Sequence, residues 1–308
     1  MEAMNVRESF PAATTAGAAA AREPAFELRR AAPEGALPPT PLVFASPHSG
    51  RVYPEDMMSA AALDAHAIRR SEDVLVDDLI AAAPELGAAV IAARFARAYI
   101  DVNREPFELD PAMFVDELPD FARARTARVA AGLGAIARVV SEGQEIYARK
   151  LTFAEARARI DQAHRPYHAA LEQLIREAQA AHGCAILIDW HSMPSAAARA
   201  GRDQPSDVVL GDRFGAACAG LLTQTVEREL EALGYRVARN SPYAGGYTTE
   251  HYGRPARRVH ALQIEMNRAL YLQEATLEPA RGFARLKRDL GALTARLTQA
   301  DWSALRAN

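Results

Sequence analysis

The sequence predicts a single-domain α/β fold, and three features carry that expectation. From Leu42 onward, short apolar runs alternate with long alanine-rich amphipathic segments, the pattern of strands alternating with helices. The run 184–189 is apolar up to its last residue and is closed by Trp190-His191, as suits a central strand covered on both faces. Composition is the third: 308 residues, 49% hydrophobic and 24% charged, have the ordinary balance of a water-soluble globular chain that can bury a large core.

Taken in order, residues 41–45 read as a buried strand that stops at the turn Ser46-Pro47-His48-Ser49-Gly50, where proline and glycine interrupt regular structure. Residues 60–83 read as a helix interrupted near Ser71. Residues 88–95 and 98–102 read as strands, the second closed by Asn103-Arg104-Glu105-Pro106. Helices are expected over 123–140, 152–182 and 212–233. The middle one opens at Thr152 with Glu155 three residues on, a capping box. Residues 235–238 and 260–265 complete the candidate strands, and 279–305 carry a helical pattern. No repeat or interdomain linker breaks this order. Residues 37–308 are therefore read as one domain behind an alanine- and proline-rich tail, 1–36, expected to be flexible.

Charge and cysteine usage exclude several classes. The 36 basic and 39 acidic residues leave a formal charge of -3 with no block of like charges, so binding to nucleic acid or a membrane surface has no electrostatic support. Cys184 and Cys218 stand far apart, which argues against a disulfide framework or a thiolate zinc site and suits a reducing compartment. The small-residue tract from Ala12 to Ala21 lacks the leucine-rich core of a signal peptide, and Glu2 and Glu8 sit where positive charge would be needed. With no long apolar span, a cytoplasmic protein is the expectation.

Four reactive groups fall at or just past strand ends: His48, Asn103-Arg104, His191 and Glu265. Ligands of open α/β sheets bind outside the carboxyl ends of the strands, so these positions point to one cleft. A catalytic zinc needs three protein ligands, imidazoles or carboxylates, and an open position for water. His48 and His191 supply the imidazoles, and the carboxylate is expected from Glu72 or Asp73, with Asp73 preferred. Asp189, two residues before His191 and so on the same side of a strand, would orient an imidazole through its second nitrogen. Taken alone, each histidine is more often a surface or hydrogen-bonded residue; joint placement favours the ligand reading. Glu265 ends an apolar alternation where it could accept a proton from an attacking water, against the plainer reading of a surface pair with Arg268. Arg104 is the leading candidate for a substrate carboxylate, followed by Arg51, Arg254 and Arg268. Gly245-Gly246-Tyr247-Thr248 reads as a flexible loop that closes over a ligand and presents the Tyr247 hydroxyl, or as a simple hairpin turn.

Five ordered segments resemble one family: Ser46-Pro47-His48-Ser49-Gly50, Ile100-Asp101-Val102-Asn103-Arg104, Asp189-Trp190-His191-Ser192-Met193, Gly245-Gly246-Tyr247-Thr248 through Tyr252-Gly253-Arg254-Pro255, and Val259 through Tyr271. They are similar to the N-formylglutamate amidohydrolases over roughly residues 40 to 275. The resemblance implies a fold like the zinc carboxypeptidases, with a mixed, mostly parallel central sheet flanked by helices. It also implies a zinc-assisted hydrolysis of N-formyl-L-glutamate to glutamate and formate at the end of histidine breakdown. By position it makes His48 and His191 metal ligands for one Zn2+ or another divalent ion, Glu265 the catalytic carboxylate, and Asn103 with Arg104 the carboxylate clamp. Arg51 stands three residues after His48 where the carboxypeptidase pattern has a glutamate, so the third ligand falls to Asp73 and Arg51 is free to stabilise the oxyanion. A carboxypeptidase-like hydrolase of small peptides or other N-acyl amino acids is the nearest alternative. A serine enzyme is disfavoured because Ser192 lacks a G-x-S-x-G elbow.

Overall fold

Strands β4 (Ala185–Met193) and β7 (Val259–Asn267), buried along their whole length, lie side by side at the centre of the protein. A computed structural model describes residues 23–140, 143–199 and 204–306. Around the central pair, β1 (Phe26–Arg29), β2 (Leu42–Ser46), β3 (Ala89–Ala93), β5 (Val208–Gly211) and β6 (Val237–Arg239) complete a sheet of order β1-β3-β2-β4-β7-β5-β6. Strands β3, β2, β4 and β7 run parallel; β1 opposes β3, and the parallel pair β5/β6 opposes β7. The sheet is thus mixed and mostly parallel, with helices on both faces. Two further short strands, β8 (Leu272–Gln273) and β9 (Glu278–Pro279), form a small ribbon.

Alternation along the strands decides which face carries chemistry. Phe44, Ile186, Ile188, Trp190, Leu262 and Ile264 share one core with the helices Gly220–Ala232 and Phe283–Gln299. Val43, Ala45, Ala185, Leu187 and Ala261 face the other way, against the helix Arg165–His182. Toward the carboxyl ends this second row turns polar: Asp189 and His191 on β4, Gln263 and Glu265 on β7. In the parallel register His191 pairs with Glu265 and Asp189 with Gln263, so the four side chains form one patch.

The structure departs from several sequence expectations. Phe26–Arg29, placed in the tail, is an edge strand of the sheet; residues 1–22 lie outside the described residues. The helix expected over 60–83 is two short pieces, Ala65–Arg69 and Val76–Leu79, preceded by a separate short helix, Glu55–Ala60, that ends where it was to begin. Its backbone groups bond to distant partners, Ala62 N to Ile146 O and Asp73 N to His48 O, and Leu75 is left-handed at φ 63°. The strand expected at 98–102 is a set of turns, with Tyr99 N and Ile100 N both on Ala96 O and Asp101 N on Ala135 O. Of 123–140 only Ala127–Ala130 is helical, because Gly132 is left-handed at φ 74° and the backbone of Gly134 passes so near the Glu108 carbonyl that a Cβ would stand 2.4 Å from it. The helix assigned to 212–233 begins only at Gly220, after left-handed Arg213 and Phe214. Strand β5 was not anticipated.

The capping box at Thr152 and Glu155 is present, and the predicted helix from it runs to His182 with one irregularity. Phe153–Arg159 passes into a π turn, Ile160–His164, before Arg165–His182 continues. Pro166 explains the break, because it has no N–H to donate and its ring crowds the preceding turn. Left-handed Gly183 at φ 75° then stops the helix. Among the described residues no helix is long and apolar enough to cross a membrane.

Candidate functional site

A cleft of about 670 Å³ opens at the carboxyl ends of β2, β4 and β7. The loop after β2 brings in His48, the break before helix Val76–Leu79 brings in Asp73, and β4 and β7 supply His191 and Glu265. A wider groove of about 980 Å³ around Asp110, Arg125, Tyr147 and Lys150 contains none of the predicted site residues.

His48, Asp73 and His191 are buried, and each offers one ligand atom within 4.8 Å of the others. The contacts are tight: His48 Nδ1 to His191 Nδ1 3.1 Å, His191 Nδ1 to Asp73 Oδ2 3.1 Å, and His48 Nδ1 to Asp73 Oδ2 3.3 Å. Ligand bonds of about 2.0–2.1 Å in a tetrahedral zinc site put neighbouring donors roughly 3.3 Å apart, so these three atoms fit one face of that tetrahedron. The opposite ring nitrogens are also occupied. His48 Nε2–H donates to Asp101 Oδ1 at 2.7 Å, and His191 Nε2–H to Asp189 Oδ2 at 2.9 Å. That tautomer turns both Nδ1 lone pairs inward, the arrangement in which an outer carboxylate orients a metal-bound imidazole. Burial opposes charge on His191, yet the Asp189 and Asp73 carboxylates outweigh it and hold its pKa well above 6.5, so without an ion a proton occupies Nδ1 beside Asp73, and it is that proton a cation at this point would displace.

Asp73, rather than Glu72, faces the imidazoles. Its other oxygen, Oδ1, accepts from Ser192 Oγ at 3.0 Å and from Arg268 Nη2 at 3.1 Å. The Glu72 carboxylate turns away to Tyr53 Oη at 2.5 Å and Arg69 Nε at 3.2 Å. Arg268, expected to bind substrate, lines the cleft but is buried and spends its donors on Asp73, Ser192 and the carbonyls of Arg70 and Glu72. It holds the carboxylate in place. Glu265 lies in the cleft, accepts from Gln263 Nε2 at 2.8 Å, and has its pKa raised to about 7 by burial, against the pull of His191.

Asn103 and Arg104 both line the cleft, and each is tied to protein. Asn103 Oδ1 accepts from Thr248 N at 2.7 Å while Nδ2 donates to Asp189 Oδ2 at 3.4 Å, the carboxylate that also accepts from His191. Arg104 donates to the carbonyls of Leu133 at 2.9 Å and of Asn103 at 2.8 Å. Burial lowers its pKa, and neighbouring Arg97 and Arg128 add to the effect against Asp101. One end of the cleft therefore crowds guanidinium groups and suits an anion.

Three predicted residues stand elsewhere. Arg51, assigned to the oxyanion, is half-exposed and paired with Asp77 at 2.7 Å and Asp78 at 3.1 Å, outside the cleft lining. Arg254 bonds to the carbonyls of Gly253 and Glu250, also outside it. Tyr247 does not line the cleft either: its ring stacks on His251 at 5.0 Å and meets His168 edge-on at 5.4 Å. The segment expected to be a mobile loop is the start of helix Tyr247–Tyr252, pinned by Gly246 N to Gln263 Oε1 at 2.7 Å. Arg97, which the sequence reading leaves out, lines the cleft and bonds to Asp101 Oδ2 at 2.7 Å, and Asp101 itself had no expected role. The four-residue spacing of Arg97 and Asp101 was the available signal. Tyr243, also in the lining, had none.

A family model described as N-formylglutamate amidohydrolase matches residues 40–272. An N-formylglutamate deformylase of Pseudomonas putida is 30% identical over 237 residues, covering 76% of this chain and 82% of the relative. That of Pseudomonas aeruginosa is 29% identical, with 76% and 83% covered. Among solved structures, an N-formylglutamate amidohydrolase from Ralstonia eutropha JMP134 superposes with a TM-score of 0.82 at 42% identity, covering 89% of this chain and 97% of that one. A protein from Agrobacterium tumefaciens, 18% identical with a TM-score of 0.61 over 89% and 94% of the two chains, shares the fold.

Proposed function

The chain belongs to the N-formylglutamate amidohydrolase family, and from that premise we propose that it is a metal-dependent enzyme, with zinc as its ion, that hydrolyses N-formyl-L-glutamate or a similar small N-acyl amino acid to formate and the free amino acid. The observation that carries the metal dependence is the trio His48, Asp73 and His191, whose inward donors stand 3.1–3.3 Å apart while both outward nitrogens are held by carboxylates. When bound there, a divalent ion supplies Lewis acidity and acidifies water.

The protein's own groups then divide the work. Glu265, in the cleft and on the same face as His191, accepts the proton of the attacking water and later delivers it to the leaving nitrogen as the C–N bond breaks. Arg97 takes the oxyanion role that Arg51, paired with Asp77 and Asp78, is badly placed to fill. Arg104, beside Arg97 and Arg128, receives the substrate carboxylate. Arg268 and Ser192 fix Asp73, and Asp101 and Asp189 fix the imidazoles. Both cysteines are buried and free, consistent with a reducing cytoplasm, where the reaction would release glutamate late in histidine breakdown.

The test is elemental analysis of the purified protein paired with formate release from N-formyl-L-glutamate before and after chelation. One zinc per chain and release that stops on chelation and returns with metal are expected. Release indifferent to chelation would overturn the metal role, and metal without formate release would overturn the substrate.

A further inference from the structure

Two histidines outside the cleft lining act on its carboxylate clamp. His164 and His168 lie one turn apart, with rings 4.4 Å from centre to centre. His164 Nε2 bonds to the carbonyl of Arg104 at 2.9 Å, and His168 Nε2 to that of Val102 at 2.7 Å, so the pair grips the backbone on either side of Asn103. Only an N–H can meet a carbonyl, which fixes the tautomer of both rings. His168 Nδ1 then accepts from Tyr252 Oη at 2.9 Å, joining this grip to the helix Tyr247–Tyr252, whose Thr248 N already bonds to Asn103 Oδ1. Burial disfavours charge on both rings and pushes His168 down to about 3, so the neutral form persists. The π turn Ile160–His164 ends at the first of the two, and a π turn re-phases the helix that follows it.

We propose that His164 and His168 are positioning residues: together they latch the 102–104 backbone so that Arg104 is presented to the substrate carboxylate and Asn103 is held against Asp189, the carboxylate that orients His191. The inference rests on the proposed carboxylate role of Arg104. A purely structural reading, two adjoining tilted rings filling space, predicts loss of stability without a specific loss of substrate affinity.

The variants are H168L, which keeps volume and removes both hydrogen bonds, and H168Q, whose amide can still reach the Val102 carbonyl. Two readouts on metal-loaded protein separate the readings. Amide hydrogen exchange at residues 103–105, without substrate, should quicken at least tenfold in H168L and stay near wild type in H168Q. The KM for N-formyl-L-glutamate should rise about tenfold in H168L, the equivalent of about 1.4 kcal/mol, with kcat and bound metal little changed, and H168Q should recover most of it. If H168L does not fold, H164L and H164Q put the same question to the Arg104 carbonyl. Unchanged exchange at 103–105 in a folded leucine variant overturns the latch, as does an equal KM loss in the leucine and glutamine variants. A wild-type protein that releases no formate, while exchange still responds as expected, instead overturns the substrate assignment and leaves the latch standing.

Discussion

Glu265 and Gln263 alternate with the apolar residues of β7, and the burial that raises the Glu265 pKa to about 7 makes it a stronger base than a surface carboxylate. Glu265→Gln should lower kcat on the order of 10²–10⁴-fold while leaving bound metal at wild-type stoichiometry; substantial residual turnover would remove Glu265 from the mechanism. Asp101 works at one remove, accepting from His48 Nε2–H, Asn103 N and Arg97 at once. Asp101→Asn keeps the shape but loses the charge, and metal affinity measured by competition with a chelator should fall about 10–100-fold. An unchanged affinity would show that the His48 orientation does not depend on that carboxylate. At this scale the sequence located His48, Asp73, His191 and Glu265, which the structure gathers in one cleft, because each interrupts a pattern of strand or turn. Arginines carry no such mark. Arg51, Arg254 and Arg97 look alike in sequence, and only their neighbours in space separate cleft from surface.

Among the elements, the helix Tyr247–Tyr252 is held by its first residues: Gly246 N on Gln263 and Thr248 N on Asn103. A Cβ on Gly246 would stand 2.5 Å from Asn103 Nδ2, closer than any relaxed contact. Gly246→Ala should therefore displace Asn103 or the helix start, costing roughly 1–3 kcal/mol of stability and raising KM, as measured by denaturant unfolding and steady-state kinetics. A neutral result would mean that the cleft edge yields freely. Sequence read this stretch as a mobile loop because two adjacent glycines usually signal freedom. Here Gly246 serves close approach instead. The capping box at Thr152 was legible since both of its partners lie within one turn, whereas the breaks at 60–83 and 123–140 were not, since the groups that divert those backbones, Ile146, His48 and Glu108, are remote.

For the whole molecule, acid should unfold the protein through groups buried neutral. His168 has its pKa pushed by burial to about 3, below the 6.5 of an unfolded imidazole. Below pH 6.5 the unfolded chain takes up a proton that the folded chain refuses, so stability falls as pH drops from 6.5 toward 3 and this group has no effect above 6.5. The slope is at most about 1.4 kcal/mol per pH unit, less for the partial exposure of the ring. Chemical denaturation across pH 4–7 should show H168Q with a shallower acid dependence than wild type; parallel curves would refute the assignment. The sequence by itself determined the α/β class, the buried central strands and the polar residues at their ends, since periodicity and turn chemistry are written in adjacent residues. Only the tertiary structure decided the order β1-β3-β2-β4-β7-β5-β6, the edge strand drawn from the presumed tail, and the choice of Arg97 over Arg51 for the cleft. Those depend on contacts between segments far apart in the chain, where the partner that wins a guanidinium or a backbone N–H is set by packing rather than by any local pattern.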